Sequence, residues 1–131
     1  MWKIEMRPET EPWWRQAQAD LETARRNLPL AYPYAVSWFA QQAAEKGLKA
    51  LYLERLGRLA PYTHDLERLG VDLNVPAPLA TDLALLNPTF EMVRYPDVTS
   101  GLAPVDVITV AEARGHLAAA ERVITWIGAA L

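Results

Sequence analysis

The spacing of apolar residues predicts helices along almost the whole chain. Apolar side chains recur every three or four residues, and no stretch alternates apolar and polar residues as a half-buried strand does. The first helix is expected from about Glu11 to Asn27, with Thr10 as its cap and Pro12 in its first turn. Pro29 and Pro33 end it, and this short connection predicts that the second helix returns antiparallel to the first.

The second helix is the longest element that the pattern predicts. It covers about Tyr34 to Leu56, and Gly57 is expected to cap its C-terminus. Thr63 is then expected to cap a short third helix that ends near Gly70. Small residues inside the second helix favour close approach of a neighbouring helix.

Prolines and glycines divide the second half of the chain. A fourth helix is predicted over about Leu79 to Leu86, before Pro88 breaks the chain. An extended loop is expected from Tyr95 to Asp106 because it contains Pro96, Gly101 and Pro104. The last helix opens with Thr109 and Glu112 at capping-box spacing and continues to the end of the sequence.

These elements predict an all-α fold. We expect an up-down antiparallel bundle of four main helices plus a short extra helix. Residues 1–131 form a single domain in this interpretation, with residues 1–10 as an N-terminal extension. A chain of this length buries enough apolar surface to fold without disulfides.

The last helix carries two neighbouring apolar lines, about 100° apart around its axis. The first line is assigned to the core of the bundle. The second is expected to meet another copy of the chain in a homodimer, since a surface helix needs only one apolar face. The alternative is a helix buried between two neighbours of its own chain. The dimer candidates are His116, Ala119, Val123, Trp126 and Ala130.

Composition and charge exclude several classes of protein. Thirteen basic and sixteen acidic residues give a net charge of −3, which argues against general coating of nucleic acid. The absence of cysteine excludes disulfides and cysteine-bound zinc. No secretory signal or membrane-spanning run is visible, so a cytoplasmic location without membrane association is expected.

The second helix also presents a polar flank. Gln42, Lys46 and Lys49 follow one another at helical spacing and can face a cleft or a partner as one unit. The alternative is a solvated flank without a specific role. We predict no metal site and no cofactor. Glu112 and His116 are four residues apart, but the capping box accounts for Glu112, and the sequence contains no glycine-rich phosphate loop.

Three segments, in this order, resemble the HEPN domain family. They are the second helix from Ser37 to Ala50, the run Thr63-His64-Asp65-Leu66, and Arg94-Tyr95-Pro96-Asp97 followed by a loop and a closing helix. The resemblance extends from about Trp14 to Leu131. It implies a bundle of four or five helices, usually a homodimer, and in many bacteria and archaea a partnership with a small nucleotidyltransferase.

Several branches of this family are ribonucleases that act as toxins. Their motif places a histidine after an arginine with four to six residues between them. The arginine stabilises phosphorane charge and the histidine moves a proton. Arg94 has no histidine in that window, so we predict no catalytic residue there. Arg58 does precede His64 by five intervening residues, but ten arginines make such a spacing expected by chance.

The resemblance implies an accessory module that partners a small nucleotidyltransferase and helps hold a nucleotide or an acceptor substrate. In this hypothesis Arg94 offers a forked cation, Tyr95 stacks or hydrogen-bonds, and Asp97 orients the arginine. The alternative for Asp97 is a purely structural pairing with Arg94 or capping of local backbone. The full candidate set is Arg94, Tyr95, Asp97, Lys46, Lys49, His64 and Asp65.

Two rival functions remain open from the sequence. One is a metal-independent endoribonuclease toxin of a toxin and antitoxin pair, which would act on RNA through Arg94 and a helper such as Tyr95 or Asp97. The other is a structural oligomerisation module without a ligand. His64 and Asp65, at a helix start, are also typical of a capping arrangement at the surface.

Overall fold

The computed structural model describes residues 5–30 and 32–131. The regular secondary structure in these residues is helical. The all-α prediction is therefore confirmed. The helices are α1 (Glu11–Asn27), α2 (Pro33–Leu56), α3 (Leu66–Asp72), α4 (Ala77–Leu86), α5 (Thr89–Met92), α6 (Pro104–Val107) and α7 (Val110–Ala130).

The long helices α1, α2 and α7 form the centre of the bundle, and α4 packs against α7. Arg7, just before α1, donates its backbone N–H to Glu54 near the end of α2 at 2.9 Å, so α1 and α2 are antiparallel. Gly128, near the end of α7, lies against Trp14 near the start of α1, so these two helices are also antiparallel. The four main helices form the predicted up-down bundle; α3 is the predicted short helix, and α5 and α6 are additional single turns.

Small residues on α2 let α7 approach closely. Ala40, Ala43 and Ala44 are fully buried, and a Cβ added to Gly47 would lie 2.9 Å from Cδ1 of Ile124. This confirms the close helix approach that the small residues predicted.

The second apolar line of α7 is largely enclosed by its own chain. His116, Ala119 and Val123 are at most 6% exposed, because α7 packs against α1, α2 and α4. The alternative of a helix buried between its own neighbours describes these three positions. Trp126 and Ala130 remain partly exposed.

The helix ends match the predicted caps in two cases and differ in two. Gly57 ends α2 with a φ of 66°, a left-handed conformation that glycine adopts without strain. Thr109 and Glu112 form the predicted capping box of α7. Thr10 occupies the N-cap position of α1, but its backbone is helical and its side chain accepts no capping hydrogen bond.

The cap of α3 is a correction. Asp65, not Thr63, is the N-cap, and its carboxylate accepts from the backbone N–H groups of Glu67 and Arg68. The hydroxyl of Thr63 instead accepts from the backbone N–H of Asp65 at 3.1 Å.

The predicted loop from Tyr95 to Asp106 is a second correction, because Pro104 starts the single turn α6 within it.

No helix in residues 5–30 and 32–131 has the length and apolar character needed to cross a membrane.

Candidate functional site

A buried carboxylate on α2 is the centre of the candidate site. Glu45 is 5% exposed, and its Oε1 accepts from Gln41 Nε2 at 3.1 Å and lies 2.9 Å from His64 Nδ1. Its Oε2 accepts from Lys49 Nζ at 3.1 Å. Burial pushes the pKa of the Glu45 carboxyl up, but hydrogen bonds from His64 and Gln41 and the charge of Lys49 outweigh it and lower the pKa. Glu45 is therefore a charged group at neutral pH.

His64 reaches this carboxylate from the connection between α2 and α3. Its ring stacks on Phe90 of α5, with the ring centroids 3.9 Å apart and an interplanar angle of 17°. The stacking and the contact with Glu45 together fix the plane of the imidazole. The side chain is still 44% exposed, so His64 connects the buried carboxylate to the surface.

Arg94, just after α5, lies against the same aromatic ring. Its Cζ is 3.8 Å from the centroid of Phe90 and 4.1 Å from a ring centroid of Trp38 on α2. Two groups this close to one centroid must occupy opposite faces of Phe90, so Arg94 and His64 lie on either side of that ring. The result is a column of Trp38, Arg94, Phe90 and His64, which we call the aromatic column.

The guanidinium of Arg94 is fixed but not neutralised. Its Nη1 donates to the carbonyl of Phe90 at 2.7 Å, and it forms no ion pair with any of the described residues. Burial lowers the pKa of the Arg94 guanidinium, while Tyr95 and Glu45 oppose this effect. An arginine stays protonated at neutral pH even so. The site thus holds a partly exposed cation with donors available to an anion.

A cavity of about 400 Å³ opens beside the aromatic column on the His64 side. Asp65 accepts from Asn87 Nδ2 at 3.0 Å, and this bond, more than those from the backbone, lowers the pKa of Asp65. The carboxylates make this cavity unfavourable for a phosphate. It is lined by His64, Asp65, Glu67, Asn87, Pro88, Phe90 and Glu91.

The structure brings together only part of the predicted candidate set. Lys49 and His64 meet at Glu45, and Arg94 lies across Phe90 from His64. The flank of Gln42, Lys46 and Lys49 is not one unit, because Lys46 turns toward α1 and pairs with Asp20 at 2.7 Å.

Tyr95 and Asp97 lie outside the aromatic column. Tyr95 is 47% exposed, and Asp97 is exposed and forms no ion pair with Arg94 in the part of the chain that is described. Asp65 is the cap of α3, as the structural alternative for it predicted.

The sequence did not identify Glu45, Trp38 or Phe90 as site residues. Two signals were available, since Glu45 precedes Lys49 by four residues and Phe90 precedes Arg94 by four. Within residues 5–30 and 32–131, no three His, Asp or Glu side chains are arranged to hold a metal ion.

Comparison with known families assigns this architecture. A family model described as HEPN domain matches residues 10–130, which is nearly the whole chain. The chain belongs to the HEPN domain family. Its four main helices and the order of its segments are therefore those of a HEPN domain, as the sequence resemblance predicted.

Solved structures agree with this assignment. The HEPN domain is similar to TT1696 from Thermus thermophilus, with 29% identity, a TM-score of 0.88, and coverage of 95% of this chain and 100% of that one. It is also similar to ST0689, an archaeal HEPN homologue, with 29% identity, a TM-score of 0.79, and coverage of 96% and 98%.

A HEPN domain protein of Thermotoga maritima (tm0613) shares the fold at 21% identity, with a TM-score of 0.68 and coverage of 89% of this chain and 94% of that one. A search of curated proteins finds no match.

Proposed function

We propose that this HEPN domain is a non-catalytic accessory module of a small nucleotidyltransferase. In this role it binds the enzyme and supplies an anion contact, through Arg94, to the bound nucleotide or acceptor. The observation that supports the proposal is the guanidinium of Arg94, which lies between Trp38 and Phe90 and has no carboxylate partner among the described residues.

The stacking prepares Arg94 for an anion. A free arginine loses side-chain entropy when it binds, and holding the planar fork between two rings removes part of that cost in advance. The other predicted cations are less suited. Lys49 is engaged with Glu45, and Lys46 is engaged with Asp20. Arg94 is therefore the cation of the candidate set best placed to meet a phosphate or a partner carboxylate.

The same geometry argues against ribonuclease action through Arg94 and His64. The motif of the ribonuclease branches uses an arginine and a histidine at one phosphate. Here Phe90 separates the guanidinium of Arg94 from the ring of His64, and Nδ1 of His64 is held by Glu45. Acidic side chains also line the cavity beside His64 and repel an RNA backbone.

The test is binding to a nucleotidyltransferase encoded next to this chain. We expect the two proteins to co-purify, and we expect Arg94→Glu to weaken the complex, or the affinity of the complex for ATP, by at least about tenfold. The matched control is Arg15→Glu, which makes the same charge change at an exposed position on α1. Titration calorimetry of each variant measures both affinities.

Other results would support the rival functions. Growth arrest of a bacterial host that expresses the chain, relieved by Arg94→Ala, would indicate an endoribonuclease toxin. A chain that binds neither a nucleotidyltransferase nor a nucleotide would be a structural oligomerisation module. Equal affinities for the wild type and Arg94→Glu would remove Arg94 from the proposed function.

A further inference from the structure

Residues 95–110, from the connection after α5 to the first residue of α7, carry five of the twelve large apolar side chains that are exposed in the described part of the chain. Exposed apolar side chains concentrated within sixteen consecutive residues favour an interaction site, whereas singly scattered ones do not. We name this set the loop patch, and its members with their exposed fractions are Tyr95 (47%), Val98 (45%), Leu102 (59%), Val105 (45%) and Val110 (45%).

The segment that carries the loop patch is held in a defined shape. Thr99 Oγ1 donates to the carbonyl of Pro96 at 3.0 Å, and the backbone N–H of Gly101 donates to the same carbonyl at 2.8 Å. Val93 before the segment and Ile108 within it are only 2% and 4% exposed, so both ends are anchored in the core. The apolar side chains are therefore presented by an ordered surface, which lowers the entropy lost on binding.

The charges of this segment favour a particular kind of partner. From residue 95 to residue 110 both charged side chains, Asp97 and Asp106, are acidic, and both are exposed. A twofold contact between two copies would bring this acidic surface toward itself, which is unfavourable. An apolar surface with basic side chains at its edge is complementary to the loop patch.

We propose that the loop patch is the docking surface for the nucleotidyltransferase partner, and that this partner presents an apolar strip bordered by lysine or arginine. The inference rests on the proposed function and extends it from one residue to a surface. Tyr95 directly follows Arg94, so docking here brings the partner's bound nucleotide to the same side of the HEPN domain as the guanidinium.

The experiment measures the affinity of the full chain for the nucleotidyltransferase encoded next to it. Leu102→Asp puts a charge into the loop patch, and we expect it to weaken binding by at least about tenfold. Leu59→Asp is the matched control, since Leu59 is 67% exposed on the connection between α2 and α3; its affinity should stay within about twofold of the wild type.

A second pair of variants tests the charge argument. Asp106→Lys should weaken the complex, and the loss should be smaller at high salt because screening reduces the repulsion. Glu9→Lys makes the same charge change at an exposed position before α1 and should leave the affinity unchanged.

The outcomes separate this inference from the proposed function. If the wild type binds the nucleotidyltransferase and Leu102→Asp binds equally well, the loop patch is not the docking surface and the proposed function stands. If the wild type does not bind, both are overturned. If Leu102→Asp instead converts a dimer to a monomer and leaves partner affinity intact, the patch is a contact between copies of this chain.

Discussion

Glu45 is buried on α2 and still carries a charge, and this shapes the candidate site at the level of single residues. A buried carboxylate is tolerated only when hydrogen bonds and opposite charges replace its lost hydration. Lys49, His64 and Gln41 provide them. The negative charge also opposes the lowering of the pKa of Arg94 by burial. The carboxylate of Glu45 thus contacts Lys49 and His64, whereas the guanidinium of Arg94 contacts the rings of Phe90 and Trp38.

A second buried polar pair gives a pH prediction. His116 on α7 is 6% exposed, lies 2.7 Å from Ser37 Oγ through its Nδ1, and has its pKa lowered by burial, partly opposed by Glu112. Between the ordinary pKa of 6.5 and the lowered pKa of the folded state, the unfolded chain therefore binds a proton that the folded chain does not. The free energy of unfolding should therefore fall as the pH is lowered from about 7.5 to about 5.5.

Urea unfolding of the wild type and His116→Gln at both pH values checks this. The variant should lose most of the pH dependence, whatever its absolute stability. Glu45 and Asp65 change the free energy of unfolding only below about pH 5.5. Their carboxyl pKa values are lowered, and the resulting stability is lost only as the pH falls toward the pKa of the folded state. A slope that is the same in both proteins would show that His116 is not the group that titrates.

At the scale of elements, periodicity and breakers were enough to predict the main helices. The structure begins α1 at Glu11 and ends α2 at Leu56, as predicted. The errors arose where two local signals compete. Thr63 and Asp65 are both good N-caps, and the choice of Asp65 is accompanied by its hydrogen bond from Asn87, a contact across 22 residues. Pro104 is typical of a breaker but begins a helical turn.

The candidate site shows the same limit. Arg94, His64 and Lys49 were found from residue type and family resemblance. Their arrangement was not predicted, because the aromatic column forms only when α5 packs against α2. This packing places the guanidinium of Arg94 between Phe90 and Trp38. No spacing within one helix encodes that contact between distant segments.

The close packing of α2 on α7 leads to a prediction at the element scale. Gly115 on α7 has open space where a Cβ would lie, so Gly115→Ala should raise the free energy of unfolding by about 0.5–1 kcal/mol through helix propensity. Gly47→Ala makes the same change where Cδ1 atoms of Ile124 and Ile127 lie 2.9 and 3.0 Å from the new Cβ. Their displacement should cancel that gain.

Urea unfolding of the two variants beside the wild type gives the comparison. Equal stabilisation by both alanines would mean that α2 and α7 are not in the close contact described above.

At the scale of the whole molecule, the exposed part of α7 and the aromatic column lie at different ends of α2. Arg94 contacts Trp38 near the start of α2, whereas the guanidinium of Arg55 near its end lies 5.5 Å from the ring of Trp126 on α7. About seventeen residues of α-helix separate these positions, which corresponds to about 25 Å. A contact between copies at Trp126 would therefore leave Arg94 and the loop patch open to another protein.

The last prediction is that the chain forms a homodimer through the surface around Trp126, where the second apolar line of α7 remains partly exposed. Ala129 is exposed and lines a shallow groove on α7 beside Trp126, so Ala129→Arg should convert the dimer to a monomer without disturbing the core. Ala19→Arg makes the same change at an exposed position on α1 and should leave the dimer intact. Sedimentation equilibrium at micromolar concentration measures both. A wild-type monomer would contradict the prediction, and a dimer unaffected by Ala129→Arg would place the contact elsewhere on the molecule.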